Sequence, residues 1–260
     1  MSKGNTIRMA RFALGLVQVG MSVGIAMAAE QLKIVDTTPG KPPSDAIVLF
    51  DGGSTDAFLN VKGTPCQWPV VKGAMVVRDG FIVSKLHFRD AQIHVEFAVP
   101  DDGTKGGAAG NSGVYIFGMY EMQILNSYDN PVEPKEAVGA LYGISPPLVN
   151  AARKPGEWQV YDILYTAPRR DERGKVARPG EITAMLNGVL VQYKAHFTES
   201  ISRWNPLVYQ NTAYTDKIRA SILKTGCGPL FLQDHHGSPV RFRNIWIRPL
   251  DDKANVFEAE

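Results

Sequence analysis

A glutamate and a glutamine two positions apart are the first residues in this chain whose types and spacing could do chemistry. They lie in Tyr120-Glu-Met-Gln-Ile124, where polar and apolar residues alternate as in a β-strand. Successive strand side chains point to opposite faces, so Glu121 and Gln123 share one face, with Cα atoms roughly 6.6 Å apart. Both could contact one sugar-sized ligand. A solvated face of an antiparallel sheet has the same pattern, so the pair is a candidate site.

The strand that carries Glu121 needs a partner, and the preceding residues supply one. Asn111-Ser-Gly113 predicts a turn, and residues 114–117 predict a strand joined to the next through Gly118. Residues 126–150 then form a long loop, a type of segment that often binds ligands. We therefore place Asn111 and Tyr142, which lies in that loop, among the substrate-binding candidates.

Two other parts of the chain concentrate polar side chains. His94 and Glu96 share one face of a predicted strand over residues 92–99, although a solvated strand explains them equally well. Residues 230–246 surround a turn and carry the third set of candidates, which is Gln233, Asp234, His235, His236, Arg241 and Arg243. A turn held by hydrogen bonds would have the same composition, so both interpretations stay open.

The N-terminal residues have the anatomy of a secretory signal peptide. Lys3, Arg8 and Arg11 precede an apolar run over residues 12–29 that ends in small residues. We predict a signal peptide at residues 1–28 and an exported protein, in the periplasm, the cell envelope or outside the cell. An uncleaved membrane anchor is the alternative, because the run is marginally long enough to span a bilayer.

The charge balance argues against a nucleic-acid partner. The whole chain carries 28 Lys+Arg and 26 Asp+Glu, but cleavage before residue 29 would remove three basic residues and no acid. The mature chain would therefore be close to neutral, whereas nucleic-acid-binding domains are strongly basic. We also expect no stable membrane span after cleavage, and the oligomeric state is left open.

The pattern of short apolar runs separated by turn residues predicts an all-β fold. Asn187-Gly188 lies between two such runs and is a strong hairpin signal. No amphipathic helix of normal length is expected. We predict an extended lead-in over residues 29–45, one β-sandwich domain over residues 46–250 and a tail over residues 251–260.

The two cysteines and the potential metal ligands leave alternatives open. Cys66 and Cys227 could form a disulfide in an oxidising compartment, or could be two separate buried thiols. No cofactor is required by the sequence. A divalent metal is possible because histidines and carboxylates are present, but no ligand spacing such as His-x-x-x-His occurs.

Several segments, in a fixed order, carry a joint pattern: Asn111-Ser-Gly-Val-Tyr115, Tyr120-Glu-Met-Gln-Ile-Leu125, Pro155-Gly-Glu-Trp-Gln-Val-Tyr-Asp162, Asn187-Gly-Val-Leu-Val191, Leu232-Gln-Asp-His235 and Pro239-Val-Arg-Phe-Arg-Asn-Ile-Trp246. Together they resemble the 3-keto-disaccharide hydrolase family, formerly a domain of unknown function. The resemblance implies a concanavalin A-like jelly-roll β-sandwich of two antiparallel sheets, related in architecture to laminarinases. It also implies activity on glycosides whose sugar carries a ketone at carbon 3.

The chemistry of such a substrate narrows the mechanism. A retaining glycosidase needs two carboxyl groups about 5 to 5.5 Å apart, and Gln123 cannot supply the second one. A ketone at carbon 3 acidifies the hydrogen at carbon 2, so β-elimination needs only a base and a group that stabilises the enolate. Hydrolysis and elimination are both considered. The enolate could be stabilised by Arg243, Gln123 or a bound metal.

We therefore predict an exported enzyme that cleaves 3-keto-glycosides or 3-keto-disaccharides, with a small carbohydrate as its partner. A non-catalytic, lectin-like glycan-binding module is the alternative, and a structural protein of the cell envelope is a third. Glu121, His235 and Glu96 are the candidate catalytic residues. The substrate-binding candidates are Gln123, His94, Asn111, Tyr120, Tyr142, Trp158, Gln233, Asp234 and Arg243. Glu121, Gln123, His94, Glu96, His235 and Arg243 are expected to converge on one concave sheet face.

Overall fold

The computed structural model describes Met1 and residues 34–198 and 204–258. Apart from Met1, the predicted signal peptide lies outside the described residues. The strands of the described part are β1 (Ile47–Phe50), β2 (Phe58–Asn60), β3 (Val70–Val71), β4 (Ala74–Val76), β5 (Ile82–Phe88), β6 (Ala91–Ala98), β7 (Ser112–Ile116), β8 (Tyr120–Ile124), β9 (Gln159–Thr166), β10 (Arg169–Arg170), β11 (Val176–Arg178), β12 (Gly180–Leu186), β13 (Val189–Phe197), β14 (Gly228–Leu232), β15 (Arg241–Pro249) and β16 (Asn255–Val256). Its α-helices are α1 (Pro206–Tyr209) and α2 (Ala213–Thr225).

Two antiparallel sheets contain most of these strands. The larger sheet has the order β13-β12-β9-β6-β15-β4-β3, with β1 also paired to β15. The smaller sheet has the order β16-β5-β14-β7-β8, with β2 also paired to β5. A separate two-stranded ribbon joins β10 to β11. The predicted all-β sandwich of two antiparallel sheets is confirmed.

The core lies between the two sheets and follows from the alternation of side chains along each strand. In β6 the buried residues include Ile93, Val95 and Phe97, which alternate with His94 and Glu96, so His94 and Glu96 point to the outward face of the larger sheet. Tyr165 of β9 reaches across the core to Phe88 of β5 and Tyr120 of β8, with ring centroids 6.3 and 6.4 Å apart. Glu121 therefore points to the outward face of the smaller sheet.

Two hairpins use left-handed residues at their turns. Asn187 and Gly188 have φ angles of 55° and 79° and join β12 to β13. The predicted hairpin at Asn187-Gly188 is confirmed. Phe117 and Gly118 have φ angles of 59° and 63° and join β7 to β8. Successive left-handed residues match the twist of the flanking strands.

Helix α2 corrects the expectation that no helix of normal length would occur. Thr212 caps its first turn by accepting a hydrogen bond from the Thr215 backbone, and the Thr215 side chain returns the contact. Gly226 ends the helix in the left-handed conformation, with φ 69°. Ile218 and Ile222 form part of its buried side. Because the buried stripe of α2 is narrow, the apolar periodicity that predicts a helix is weak in the sequence. Both capping residues, in contrast, are recognisable there.

The residues after the predicted domain boundary add a strand to the sandwich. Residues 251–260 were expected to be a tail, but β16 pairs with β5 through Asn255 and His87. Residues Val35–Glu260 form one compact unit. Neither helix in the described ranges is both long and apolar enough to cross a membrane.

The two cysteines are separate thiols. Cys66 is partly buried and Cys227 is buried. Burial raises the pKa of each thiol. The Sγ atom of Cys227 lies 3.2 Å from the backbone oxygen of Lys253. Of the two alternatives drawn from the sequence, the structure has the unpaired thiols.

Candidate active site

A pocket of about 300 Å³ lies on the outward face of the smaller sheet. Its floor comes from β7 and β8, one side from the turn after β14, and another side from the residues around α1. The lining residues are Phe81, Asn111, Tyr115, Glu121, Gln123, Tyr142, Trp204, Tyr209, Gln210, Gln233, Asp234, His235 and His236. The pocket thus brings together seven of the predicted site residues, namely Asn111, Glu121, Gln123, Tyr142, Gln233, Asp234 and His235.

Glu121 is the buried acid at the floor of this pocket. Its side chain lies beside Tyr115, its direct partner across β7 and β8, and accepts a hydrogen bond from the Tyr115 hydroxyl. Burial raises the pKa of Glu121 to about 8, and the hydrogen bond from Tyr115 only partly opposes this shift. Burial and the nearby Glu121 also raise the pKa of Tyr115 well above its usual value. Glu121 can therefore exchange a proton near neutral pH.

The strand residue Gly113 makes room for the Glu121 carboxyl group. A β-carbon at residue 113 would lie 2.3 Å from Oε1 of Glu121. Ser112 and Gly113 belong to β7, so the turn predicted at Asn111-Ser-Gly113 is wrong for these two residues. A glycine inside a strand often marks a close approach of this kind, which gives the physical reason for the correction.

Two glutamine side chains present unsatisfied oxygens in the pocket. The Oε1 atoms of Gln123 and Gln233 are buried and have no hydrogen-bond partner. Gln233 is fixed by its backbone, which donates to Gly113 O at 3.0 Å and accepts from the Ser112 hydroxyl at 2.7 Å. Its side-chain nitrogen donates to the Tyr115 hydroxyl at 3.3 Å. Buried polar atoms are normally paired, so these two oxygens fit the hydroxyl groups of a ligand.

The turn after β14 places Asp234 and His235 at the side of the pocket. Both carboxylate oxygens of Asp234 accept backbone hydrogen bonds, from Gly80 and Gly237, each at 2.7 Å. Asp234 thus ties the turn to a neighbouring loop. Burial and the adjacent His236 lower the pKa of His235, so its imidazole is uncharged at neutral pH. The two histidine rings lie 4.6 Å apart.

The long loop after β8 positions Tyr142 by extending the sheet. The backbone of Gln123 donates to Ala140 O at 3.0 Å, and the backbone of Tyr142 donates to Glu121 O at 2.9 Å. The loop therefore runs along the free edge of β8 like an additional strand. Asn111, at the other side of the pocket, donates from its side chain to Gly107 O at 2.6 Å.

The rim of the pocket carries residues that the sequence analysis missed. Trp204 lies two residues before α1 and Tyr209 is the last residue of α1. These two residues, hereafter the aromatic pair, contact each other edge to face, with ring centroids 5.4 Å apart. Gln210 follows them. Helix α1 is only four residues long and has no readable periodicity. Its cap at Asn205-Pro206 was the one local signal in the sequence.

His94, Glu96 and Arg243 lie in a separate group, the outer cluster, which also contains Asp162 and Asn244. The cluster occupies the outward face of the larger sheet. His94 Nδ1 lies 2.7 Å from Asp162 Oδ1, Arg243 Nε lies 2.6 Å from Glu96 Oε2, and Asn244 donates to Glu96 Oε1 at 2.8 Å. The predicted convergence of His94, Glu96 and Arg243 with Glu121 is therefore wrong. These side chains do face away from the core, but their strands belong to the other sheet.

Charges within the outer cluster are matched internally. Burial alone would raise the pKa of Glu96, but hydrogen bonds from Asn244 and Arg243 outweigh it, so the pKa is lowered. The guanidinium carbon of Arg243 lies 4.0 Å from the ring centroid of Trp158. Trp158, expected to bind substrate, thus lies with this cluster and outside the pocket.

Tyr120 also lies outside the pocket. It is fully buried in the sandwich core, where its ring lies 4.0 Å from that of Phe197, and its hydroxyl donates to Thr198 O at 3.0 Å. The strand alternation that directs Glu121 outward necessarily directs Tyr120 inward. The prediction that Tyr120 binds substrate is therefore wrong.

No group of three or more His, Cys, Asp or Glu side chains suited to a metal ion occurs within residues 34–198 and 204–258. In the pocket, His235 and His236 are neighbours, but both oxygens of Asp234 are engaged by backbone groups. The sequence-based hypothesis of a divalent metal thus finds no cluster of three such ligands in the described part of the chain.

Comparison with known proteins gives the family. Residues 45–248 match the family described as "3-keto-alpha-glucoside-1,2-lyase-like domain". A solved structure of a "putative glycosyl hydrolase" from Parabacteroides distasonis ATCC 8503 is 37% identical, covers 89% of this chain and 98% of that chain, and superposes with a TM-score of 0.73. No curated protein matched the chain.

A second protein of the same description and organism supports the fold. It is 21% identical, covers 80% of this chain and 94% of that chain, and has a TM-score of 0.54. The matched residues include the whole of β7 and β8, which carry Glu121, and the turn with His235. The chain therefore belongs to the family of 3-keto-alpha-glucoside-1,2-lyase-like domains.

Proposed function

We propose that this protein cleaves the glycosidic bond of 3-keto-glycosides, including 3-keto-disaccharides, by base-initiated elimination followed by addition of water. Family membership and the 37% identical relative indicate a carbohydrate-active protein of the glycosyl hydrolase type. The observation that carries the finer proposal is the single buried Glu121, whose pKa is about 8, at the floor of the pocket.

The arrangement of carboxylates favours elimination over a two-carboxylate hydrolysis. Besides Glu121, the acid that lines the pocket in the described part of the chain is Asp234, whose two oxygens are held by backbone N–H groups of Gly80 and Gly237. Glu96 lies on the outward face of the other sheet. Displacement or inversion at the anomeric carbon requires two carboxyl groups across the scissile bond. Removal of a proton next to a ketone requires one base.

The properties of Glu121 suit that step. A base with a pKa near the working pH combines a useful ionised fraction with more proton affinity than an ordinary glutamate. In the first step the Glu121 carboxylate takes the proton from carbon 2, and the C–H electron pair moves onto the ketone oxygen as an enolate. Gln123 and the uncharged His235 line the same pocket and can donate N–H groups to that oxygen. Arg243, a candidate for this role from the sequence, lies in the outer cluster.

The remaining steps restore the base. The enolate electrons form a double bond between carbons 1 and 2 while the bond from carbon 1 to the leaving oxygen breaks. A water molecule gives a proton to the leaving oxygen, and its hydroxide adds to carbon 1. While the unsaturated intermediate is bound, Glu121 exchanges its proton with solvent water, and it then protonates carbon 2. The sum is one 3-keto-glycoside and one water converted to a 3-keto sugar and an alcohol.

A panel of substrates tests the proposed function. Purified protein would be incubated with 3-keto-trehalose, 3-keto-lactose and their unoxidised parents, with and without a chelator. We expect release of the 3-keto sugar only from the oxidised substrates, with Glu121→Gln slower by roughly 10²- to 10⁴-fold. Glu96→Gln is the matched control. Binding of all substrates without turnover would favour the lectin-like alternative.

The proposed location is outside the cytoplasm. The basic and apolar composition of residues 1–28 supports a signal peptide, and a small carbohydrate is the proposed partner. Cell fractionation and N-terminal sequencing of the full chain would test this. A protein retained in the cytoplasm with Met1 still present would contradict it.

A further inference from the structure

The aromatic pair has an exposed surface above the buried base. Trp204 is 40% exposed and Tyr209 is 52% exposed, and their rings meet at 75°. Both line the pocket whose floor contains Glu121. Two perpendicular aromatic faces at a pocket rim form a corner, against which the apolar face of a sugar ring can stack. The proposed elimination steps at Glu121 do not involve this corner.

The corner is held firmly by its surroundings. The Asn205 side chain accepts a hydrogen bond from the Leu207 backbone at 2.9 Å and so caps α1. Leu207 is buried, and a β-carbon at Gly118 would lie 3.0 Å from its Cγ atom. Arg219 of α2 donates to the Leu207 carbonyl oxygen and is itself held by Asp216 at 2.8 Å. Helix α2 therefore positions α1 and the aromatic pair.

The charges around the pocket define what the corner can accept. Within the described residues, no Lys or Arg lines the pocket, whereas Glu121 and Asp234 do. The described lining thus offers no cationic partner for an anionic group such as a phosphate or uronate, and the Asp234 carboxylate would oppose it. The rim also carries Asn111, Gln210 and His236, which can form hydrogen bonds to hydroxyl groups. An uncharged, hydroxylated ring fits both observations.

We propose that the aromatic pair forms the binding subsite for the leaving group, and that this group is an uncharged pyranose. The inference rests on the proposed function, because the leaving group is defined by the bond that is cleaved. The ketone-bearing ring binds over Glu121, Gln123 and Gln233. The second ring stacks against Trp204 and Tyr209, and Arg219 is a positioning residue for them.

Two substrates that differ only in the leaving group test this subsite. Kinetics would be compared for 3-keto-trehalose and methyl 3-keto-α-glucoside. Trp204→Ala and Tyr209→Ala should each raise KM for 3-keto-trehalose by roughly 10- to 100-fold, because each removes an aromatic face on which the second ring stacks. The values of kcat, and KM for the methyl glycoside, should stay within about 3-fold. Tyr193→Ala, an exposed aromatic of β13, is the control.

Each outcome decides the proposal. Equal losses for both substrates would indicate a general packing role and would overturn the subsite, as would unchanged KM values. If the wild-type protein cleaves neither keto-glycoside, the proposed function fails, and calorimetry with unoxidised trehalose then decides the subsite. Trehalose binding that is lost in Trp204→Ala supports the subsite; no binding, or equal binding in both proteins, overturns it.

Discussion

The carboxyl group of Glu121 occupies the space that a β-carbon of residue 113 would need. The distance from that position to Oε1 of Glu121 is 2.3 Å. Gly113→Ala should therefore displace the carboxyl group without altering its chemistry. We expect a loss in kcat/KM of about 10²-fold, which is typical of misplacing a catalytic group by about 1 Å. Steady-state kinetics and circular dichroism would check this.

Gly107→Ala is the matched control for that substitution. A β-carbon at Gly107 meets nothing within 4 Å, and its φ angle lies outside the left-handed range. The control should retain activity within about 2-fold, because surface changes away from special features have small effects. Full activity in Gly113→Ala would show that the position of the Glu121 carboxyl group is unimportant.

The raised pKa of Glu121 makes the stability of the fold depend on pH. The pKa is about 8 in the folded protein and near the ordinary 4.5 in the unfolded chain. Between these values the folded protein keeps a proton that the unfolded chain releases, so the free energy of unfolding falls as pH rises. Glu121→Gln should remove this fall and exceed the wild type in stability at pH 8. Urea unfolding across this range would test it, and parallel curves would contradict it.

His87 should have the opposite effect at acid pH. Its ring is 1% exposed, both nitrogens lack partners, and it stacks on Phe257 at 4.4 Å. Burial lowers its pKa to about 4. Between pH 4 and the ordinary 6.5 the unfolded chain binds a proton that the folded protein does not, so stability is lost as pH falls. His87→Phe should reduce that loss in thermal unfolding; an unchanged acid profile would count against it.

The outer cluster should matter for stability and not for catalysis. Glu96→Gln removes the negative charge that accepts a hydrogen bond from Arg243 at 2.6 Å. The amide that replaces it has only one oxygen for the two donors, Arg243 and Asn244. We expect the free energy of unfolding to fall by about 1 to 3 kcal/mol, as for other hydrogen-bonded charges, with kcat/KM within about 3-fold. A large loss of kcat/KM with unchanged stability would return Glu96 to the list of catalytic candidates.

The alternation of side chains along a strand located the centre of the site, because this alternation depends only on the local sequence. It placed Glu121 and Gln123 on one face, and polar density marked the turn with His235. The alternation does not predict, however, which of the two sheets a strand belongs to. His94 and Glu96 are on β6 in the larger sheet, whereas Glu121 is on β8 in the smaller one. The two outward faces lie on opposite sides of the shared core, and this separation is set by long-range strand pairing.

The remaining parts of the site depend on packing that leaves little local pattern. Tyr209 ends a helix of four residues and Trp204 lies just before it, and so short a helix has no detectable periodicity. The two caps of helix α2, Thr212 and Gly226, are recognisable in the sequence. Its buried stripe is narrow, however, so the apolar periodicity that predicts a helix is weak. Gly113 resembles a turn residue until the position of Glu121 is known. Each of these becomes interpretable only when distant residues are brought together.

The most direct test of the central claim follows hydrogen at carbon 2 of the substrate. Wild-type protein would cleave 3-keto-trehalose in deuterium oxide, and the 3-keto sugar would be analysed by NMR before spontaneous exchange. Elimination by Glu121 predicts deuterium at carbon 2 in step with cleavage, and Glu121→Gln should lose cleavage and incorporation together. Rapid cleavage by the wild type with hydrogen fully retained at carbon 2 would contradict the account.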